Sequence, residues 1–280
     1  MKRPKKRHKA DVPPGHETPI NYAVTSRDTE VLKMVKDAIR HGEVLLAYQP
    51  IINASNLKTP AFYEGLIRVI DATGRVIPAK DFMGVVEDNE LGRELDCLAL
   101  QKGTEALAAF PNLRLSINMS ARSIGYSRWM KVLKSGLAQG DDIAERLILE
   151  ISESSAMLVP ELVVDFMNEL QGEGISFALD DFAKGFTSFR YFKNFSFDIL
   201  KLDGQFTRDI HKDRENQVIA SGLAAMADAL DMYTVATRVE RPEDAKMLAH
   251  LGFHCLQGFL FGAPTVKPGW LTKKNNRNAA

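Results

Sequence analysis

Short runs rich in β-branched and aliphatic residues alternate along this chain with longer stretches whose apolar residues recur at helical spacing. Eight strand-like runs occur in order, at 44–52, 62–70, 113–119, 146–151, 175–180, 197–202, 232–236 and near 254–257. Helical stretches separate most of them, at 79–87, 92–110, 129–138, 161–172, 188–193, 214–230 and 242–251. Strands that alternate with helices form parallel sheets. Eight of them over about 235 residues predict an α/β fold with a single (β/α)₈ barrel.

A doubly wound open sheet is the alternative architecture for such an alternation. Its nucleotide-binding form carries GxGxxG directly after the first strand. Neither that motif nor a Walker loop occurs in the sequence. The barrel is therefore the favoured fold.

The two ends of the chain differ in composition from the barrel region. Residues 1–21 combine a basic run with several prolines and predict a disordered tail. Apolar residues spaced for one helical face over 29–40 predict a helix, within a lead-in segment at 22–42. The barrel domain is assigned to 43–266, and 267–280 is a C-terminal tail.

Charge is distributed unevenly, although 36 basic residues balance 36 acidic ones. Six of the basic residues lie within 2–9, which leaves 30 basic against 36 acidic in the remainder. A body of net negative charge argues against nucleic acid as a partner. The basic segment is either a solvated arm or a contact for an anionic membrane or protein surface.

Several classes of protein are disfavoured by what the sequence does not contain. No apolar run approaches the roughly 20 residues that cross a bilayer, and the basic start has no secretory apolar stretch after it. We therefore expect a cytoplasmic protein. Cys97 and Cys255 lie in apolar surroundings without CxxC or Cys/His spacing, so we expect both to be buried and unpaired.

Oxygen-bearing side chains follow the apolar part of several strand-like runs. In a barrel, these carboxyl ends of the strands form the active site. Burying carboxylates there requires positive charge, and one lysine cannot neutralise four acids. Mg²⁺ or Mn²⁺, which prefer oxygen ligands, would supply that charge; one or two ions are both compatible with the spacing. The oxygen-bearing residues are Glu64, Asn118, Glu150, Asp180, Asp181 and Asp203, and the lysine is Lys201.

Seven motifs resemble, in order, those of EAL domains. They are YQPI at 48–51, EGLIR at 64–68, NMSA at 118–121, LEISES at 149–154, ALDDF at 178–182, LKLD at 200–203 and QGFLF at 257–261. The resemblance spans about 39–264. It implies a modified TIM (β/α)₈ barrel that binds cyclic di-GMP. In active members, two Mg²⁺ or Mn²⁺ ions support hydrolysis of the nucleotide to pGpG.

The resemblance also implies roles for individual residues. The ligands of one metal ion would be Glu64, Asn118, Glu150 and Asp180, and those of the second Asp180 and Asp181. Asp181 and Lys201 would be catalytic, with Lys201 holding the attacking water or the developing charge. Nucleotide contacts would come from Gln49, Glu64, Leu66, Arg68, Asp203 and Gln257. Glu153 and Glu240 would support the site from behind, and a homodimer is implied.

Three departures from the family pattern matter. Gly65 replaces an alanine, which adds backbone freedom and is expected to have little further effect. The pattern VAEGVE reads VATRVE at 235–240, so Thr237 replaces the glutamate proposed as general base and Arg238 replaces a glycine. Loss of a general base lowers a rate by roughly 10²- to 10⁴-fold. The loop pattern DFGTG reads DFAKG, which introduces Ala183 and Lys184.

Three functions are compatible with this sequence. The favoured one is a cyclic di-GMP-binding receptor or regulator with weak or absent phosphodiesterase activity, acting on an unknown protein partner. The second is an active phosphodiesterase in which Glu240 or a water replaces the missing base. The third is a protein-interaction module that no longer binds nucleotide. Thr237 argues against the second, and the retained binding residues argue against the third.

Overall fold

The computed structural model describes residues 19–185 and 194–271. A long helix, α1 (Pro19–His41), leads into the sheet. It begins ten residues before the predicted start at 29, and it includes the last three residues of the predicted disordered tail. Pro19 occupies the first helical position, where a missing amide proton costs no hydrogen bond. The predicted helix at 188–193 lies outside the described residues, and the proposed domain boundaries stay predictions.

Within the described ranges, nine strands form one sheet. Eight of them close into a barrel in the order β1-β9-β8-β7-β6-β5-β4-β2, because β1 also pairs with β2. Each of the eight predicted strand-like runs corresponds to one barrel strand, whereas β3 pairs only with the outer part of β2. The strands are β1 (Val44–Asn53), β2 (Pro60–Ile70), β3 (Val76–Pro78), β4 (Leu115–Asn118), β5 (Leu147–Ser152), β6 (Ser176–Phe182), β7 (Ile199–Leu202), β8 (Tyr233–Ala236) and β9 (Cys255–Gln257).

Strand β1 runs antiparallel to both of its barrel neighbours, while the remaining barrel strands pair in parallel. The connection between β1 and β2, residues 54–59, is a short hairpin loop. Such a loop joins antiparallel strands, because a parallel crossover needs a dozen or more residues. The fold is therefore a TIM-like barrel with one reversed strand.

Helices cover the outside of the barrel. Their apolar faces are buried against the strands, as the full burial of Leu100, Leu107 and Val163 illustrates. Burial of one such side chain contributes about 1.5–3 kcal/mol. They are α2 (Met83–Val86), α3 (Glu90–Ala109), α4 (Ser127–Leu137), α5 (Ile143–Arg146), α6 (Glu153–Ala156), α7 (Pro160–Gln171), α8 (Arg214–Ala229) and α9 (Pro242–His250), with 3-10 turns at Ala79–Asp81 and Ala121–Ser123.

The helices do not include a membrane span: in the described part of the chain, none is both long and apolar enough to cross a bilayer. Cys97 and Cys255 are both free and buried, which confirms the expectation that neither forms a disulfide.

Gly65 has a larger role in packing than the sequence predicted. A methyl group at this position would lie 2.7 Å from Ile117 Cδ1, and one at Gly103 would meet the same atom at 2.7 Å. The Ile117 side chain fills the space that the two glycines leave.

The barrel interior contains an apolar layer beneath a polar layer. The apolar layer is a separate buried cluster of Ile51, Phe62, Ile148, Ala178, Ile199, Val235 and Cys255. Side chains two residues apart on a strand lie on the same face. Each of these seven apolar residues has a polar residue two positions away in the chain, on the side nearer the carboxyl end of the parallel strands. An eighth polar residue, on β4, lies two positions beyond buried Ser116. They are Gln49, Glu64, Asn118, Glu150, Asp180, Lys201, Thr237 and Gln257.

Candidate functional site

Lys201 lies at the centre of the polar layer and is 1% exposed. Its Nζ atom lies 2.5 Å from Glu150 Oε2, 3.1 Å from Glu64 Oε2 and 3.4 Å from Asp180 Oδ1. An ammonium group carries three protons and can serve three acceptors at once. Its single charge still leaves this group of three carboxylates with excess negative charge.

Side-chain amides fix the carboxylate of Glu64. Asn118 Nδ2 donates to Glu64 Oε1 at 2.8 Å, and Gln257 Nε2 donates to Glu64 Oε2 at 2.6 Å. Gln257 Nε2 also reaches Gln49 Oε1 at 3.1 Å, while Gln49 Nε2 donates to the carbonyl of Gly262 at 3.1 Å. Four strands thereby join one hydrogen-bond network, because β1, β2, β4 and β9 each contribute a member.

One oxygen of Glu150 differs from the rest of the network. Glu150 Oε1 is buried and has no hydrogen-bond partner among the described residues, although Oε2 binds Lys201. A buried polar atom left without a partner costs about 1–3 kcal/mol. The orphaned oxygen therefore marks a position where a ligand atom would be stabilising.

The ionisation of the cluster follows from burial and from Lys201. Burial raises the pKa of Glu150 to about 8, and the charge of Glu64 adds to the rise while Lys201 opposes it. Burial raises the pKa of Asp180 as well, against the effect of Lys201. For Glu64, burial is outweighed by Lys201 and by hydrogen bonds from two amides, so its pKa is lowered. Burial depresses the pKa of Lys201, but the three acids outweigh it and the pKa is well above its usual value.

The donor set fits a hard divalent cation. Glu64, Glu150 and Asp180 supply carboxylate oxygens, and Asn118 supplies an amide oxygen, which are ligands that Mg²⁺ and Mn²⁺ accept. The residual negative charge and the orphaned Glu150 oxygen both favour such an ion. These four residues could hold it.

Asp181 is separated from this cluster by an irregularity at the end of β6. The register between β6 and β7 shifts between Leu179 and Phe182, and Asp181 has a left-handed φ of 54°. Lys184 Nζ lies 2.5 Å from Asp181 Oδ2, in an exposed ion pair. Adjacent acids are thus paired differently, since Asp180 contacts Lys201 and Asp181 contacts Lys184.

The loop after Asp181 is held from two sides. Glu153 Oε2 accepts a hydrogen bond from the Ala183 amide at 3.0 Å, and Gln205 Nε2 donates to the Ala183 carbonyl at 2.6 Å. Ala183 has a φ of 66°, a conformation that glycine adopts at lower cost. The alanine is therefore accommodated in a backbone conformation suited to glycine.

Thr237 directs its hydroxyl to the backbone. Thr237 Oγ1 donates to the Leu202 carbonyl at 2.7 Å, and the Thr237 carbonyl accepts from Thr207 Oγ1 at 2.5 Å. Glu240 lies three residues further on, is exposed, and makes no side-chain hydrogen bond with any described residue. Neither residue brings an acid to the polar layer from β8.

The remaining predicted nucleotide contacts lie around this layer. Leu66 and Arg68 lie on the face of β2 that carries Glu64, and both are nearer the barrel mouth than Glu64. Arg68 is buried and donates through Nη1 to the carbonyl of Ile67 at 2.8 Å. Asp203 is also buried and accepts at 2.8 Å from the amide of Gln205.

Asp96 is a supporting acid that the sequence analysis missed. It lies on the buried side of α3, and its Oδ2 accepts from the Ser120 amide at 2.9 Å and from Ser123 Oγ at 2.6 Å. It therefore fixes the segment that follows Asn118. The available signal was an acid within an otherwise apolar helical face, LDCLAL at 95–100.

Comparisons with known proteins agree with this architecture. The family profile described as EAL domain matches residues 32–264. Cyclic di-GMP phosphodiesterase NbdA of Pseudomonas aeruginosa is 28% identical over 246 residues, which cover 85% of this chain and 31% of the relative. The chain thus spans about a third of the length of this curated relative.

Two solved structures have the same fold. One is the PaMucR phosphodiesterase in complex with c-di-GMP, with a TM-score of 0.78, 24% identity, and coverage of 87% of this chain and 99% of that chain. The other is the FimX EAL domain from Pseudomonas aeruginosa bound to c-di-GMP, with a TM-score of 0.77, 22% identity, and coverage of 85% and 97%. At these identities, the likeness establishes the fold of the barrel.

Proposed function

Because the chain belongs to the EAL domain family, we propose that it binds cyclic di-GMP at the carboxyl end of its barrel and hydrolyses the nucleotide weakly or not at all. It then serves as a receptor or regulator. One observation carries the proposal: the polar layer is assembled around Lys201, yet the residue that follows β8 is Thr237, whose hydroxyl donates to a backbone carbonyl. Such a site can hold a phosphodiester without offering a base to an attacking water.

The nucleotide is proposed because the relatives and the retained polar residues point the same way. NbdA is named a cyclic di-GMP phosphodiesterase, and both solved structures contain that nucleotide. In this chain, Arg68 is buried on β2, nearer the barrel mouth than Glu64, and has the planar fork that binds two phosphate oxygens. The proposed contacts are Gln49, Glu64, Leu66, Arg68, Asp203 and Gln257.

A divalent ion, Mg²⁺ or Mn²⁺, would be held by Glu64, Asn118, Glu150 and Asp180, and a second would need Asp180 with Asp181. When bound, such an ion polarises a phosphoryl oxygen and lowers the pKa of a water. Lys201 would keep the carboxylates in place and could donate a hydrogen bond to developing negative charge. No described side chain on β8 would accept the proton of the attacking water.

The alternative is an active phosphodiesterase that releases pGpG. The orphaned oxygen of Glu150 favours it, because this oxygen suits a metal ion. Glu240 or a water would then take the proton. A protein-interaction module without nucleotide binding is less well supported, since the hydrogen bonds that hold Gln49, Glu64 and Gln257 together have no evident use in it.

One experiment separates these functions. Cyclic di-GMP is titrated into the protein with Mg²⁺, with Mn²⁺ and with a chelator, and pGpG is measured in the same tubes. Binding without pGpG supports a receptor, and rapid metal-dependent release of pGpG would make the chain an enzyme. Absence of binding would leave the interaction module. Arg68→Ala is expected to weaken binding strongly, whereas Lys131→Ala, an exposed change on α4, is the control.

Other properties are proposed on the same basis. We propose a cytoplasmic protein that forms a homodimer, acts on an unidentified protein and does not bind nucleic acid. The basic segment 2–9 lies outside the described residues, and we expect it to contact anionic surfaces in a salt-sensitive way. Equal binding to anionic liposomes by the full chain and by a variant without residues 2–9 would contradict that contact.

A further inference from the structure

Three residues lie side by side at the mouth of the barrel. Phe182 pairs with Leu202, and Leu202 pairs with Ala236, on three adjacent strands. Two residues beyond these paired positions are Lys184, Gly204 and Arg238. Beyond the strand ends, the Arg238 side chain lies against Gly204, and its charge acts on Lys184.

The stem of the Arg238 side chain rests on Gly204. A methyl group at Gly204 would lie 2.7 Å from Cγ and 2.8 Å from Cβ of Arg238, and nearer still to Cδ. Arg238 also has a left-handed φ of 56°, which is unfavourable for a residue with a side chain. The contact with Gly204 and the left-handed backbone conformation together fix the direction of the Arg238 side chain. A surface arginine that is freely solvated would need neither feature.

The guanidinium of Arg238 is free to bind a ligand. It is exposed and makes no hydrogen bond or ion pair with any described residue. Two acids of this region have other partners, because Asp181 pairs with Lys184 and Asp203 accepts from the Gln205 amide. The hydrogen bond to Asp181 raises the pKa of Lys184, and the charge of Arg238 opposes this rise, in keeping with two neighbouring cations.

We propose that Arg238 is a nucleotide-binding residue whose guanidinium contacts a phosphate of cyclic di-GMP at the mouth of the barrel, providing affinity that does not require a divalent ion. This inference rests on the proposed function. A guanidinium binds two phosphate oxygens with a planar fork, and a pair of cations above an acidic layer attracts the anionic ligand. Arg238 thereby serves binding at the strand end where the acid is missing.

The test measures the dissociation constant of cyclic di-GMP by calorimetry, in EDTA and in Mg²⁺. Arg238→Gln is compared with Arg114→Gln, an exposed arginine before β4 at the opposite end of the barrel that undergoes the same change of charge. We expect Arg238→Gln to weaken binding roughly tenfold or more in both buffers. Arg114→Gln should bind as the parent does. Arg238→Lys, which retains the charge without the fork, should lie between them.

A second variant tests the contact between Arg238 and Gly204. Gly204→Ala should displace the Arg238 stem and weaken binding in the same direction, with circular dichroism reporting whether the fold is retained. Equal affinities for Arg238→Gln and Arg114→Gln would overturn the inference while leaving the proposed function intact. Parent binding that disappears in EDTA would overturn it as well. Failure of the parent to bind in either buffer would reject the proposed function and this inference together.

Discussion

Glu64 and Lys201 are 137 residues apart in the chain, yet the ammonium of Lys201 donates to Glu64 Oε2 at 3.1 Å inside the barrel. The two residues come from β2 and β7, and Lys201 also contacts Glu150 on β5 and Asp180 on β6. Lys201 therefore joins its own strand to three others through one buried cation. The same contacts hold the barrel together and bring the residues of the site to one place. Stability and function therefore meet at Lys201.

Replacing Lys201 with methionine should destabilise the fold by about 3–5 kcal/mol at pH 7, because it leaves buried carboxylates without their cation. The loss should shrink toward pH 5, where protonation neutralises the acids. Urea unfolding at both pH values measures the effect, and Lys131→Met on α4 is the matched exposed control. A loss that is small and independent of pH would contradict the central role of Lys201.

Restoring the family's alanine at Gly65 should destabilise the protein by about 1–3 kcal/mol through overpacking, because the new methyl would lie 2.7 Å from Ile117 Cδ1. Ile117→Val removes that atom, so the double variant should be more stable than the sum of the two single changes predicts. Urea unfolding of all four proteins gives the coupling. Additive effects would show that Ile117 does not fill the space beside Gly65.

The alternation of apolar runs was sufficient to predict every barrel strand, because each strand needs a buried, strand-length segment. It could not predict the direction of β1, which depends on how a short loop closes the sheet. The start of α1 was also missed, since the apolar spacing is clear only from residue 29 onward. The spacing of apolar residues indicates which helical face is buried, so it cannot predict a part of a helix that is largely exposed.

Five residues of the polar layer could be named from the sequence because parallel strands end on one side of a barrel: Glu64, Asn118, Glu150, Asp180 and Lys201. The family resemblance alone pointed to Gln49, Thr237 and Gln257. The ion-pair and hydrogen-bond partners of the site residues could not be predicted from the sequence. The pairing of Asp181 with Lys184 depends on a left-handed turn, and the bond from Thr237 to Leu202 depends on the register of β8 against β7. Such contacts come from backbone geometry, which the residue types alone do not specify.

The pH dependence of stability should contain a contribution from Asp96. Burial raises the pKa of this acid from 3.8 to about 6, with hydrogen bonds from Ser123 and Ser120 opposing the rise. Between these two pKa values the folded protein binds the proton more tightly than the unfolded chain does. The contribution of Asp96 to stability therefore falls as pH rises through this window, by about 3 kcal/mol at most.

Asp96→Asn removes this titration and keeps an oxygen that can accept from Ser120 and Ser123. The difference in unfolding free energy between the variant and the parent should therefore grow in favour of the variant as pH rises from about 4 to 6.5. Urea unfolding across that range measures it. A constant difference would mean that Asp96 does not titrate there. Asp96→Ala, which removes the acceptor, should destabilise the protein at every pH.

The last prediction concerns Thr237. If the missing acid is what limits hydrolysis, Thr237→Glu should raise metal-dependent release of pGpG, by up to roughly 10²- to 10⁴-fold. Thr237→Gln is the matched control, since it has the same size as glutamate and loses the same bond to Leu202 but cannot act as a base at pH 7. At saturating cyclic di-GMP, the double change Thr237→Glu with Arg238→Gly should raise turnover further, because it removes a cation that competes for the new carboxylate, although it should also weaken nucleotide binding. Equal turnover by the glutamate and glutamine variants would place the defect elsewhere, in the loop that carries Ala183 and Lys184. Rapid hydrolysis by the unmodified chain would contradict the receptor proposal, and Glu240 would be the next residue to replace.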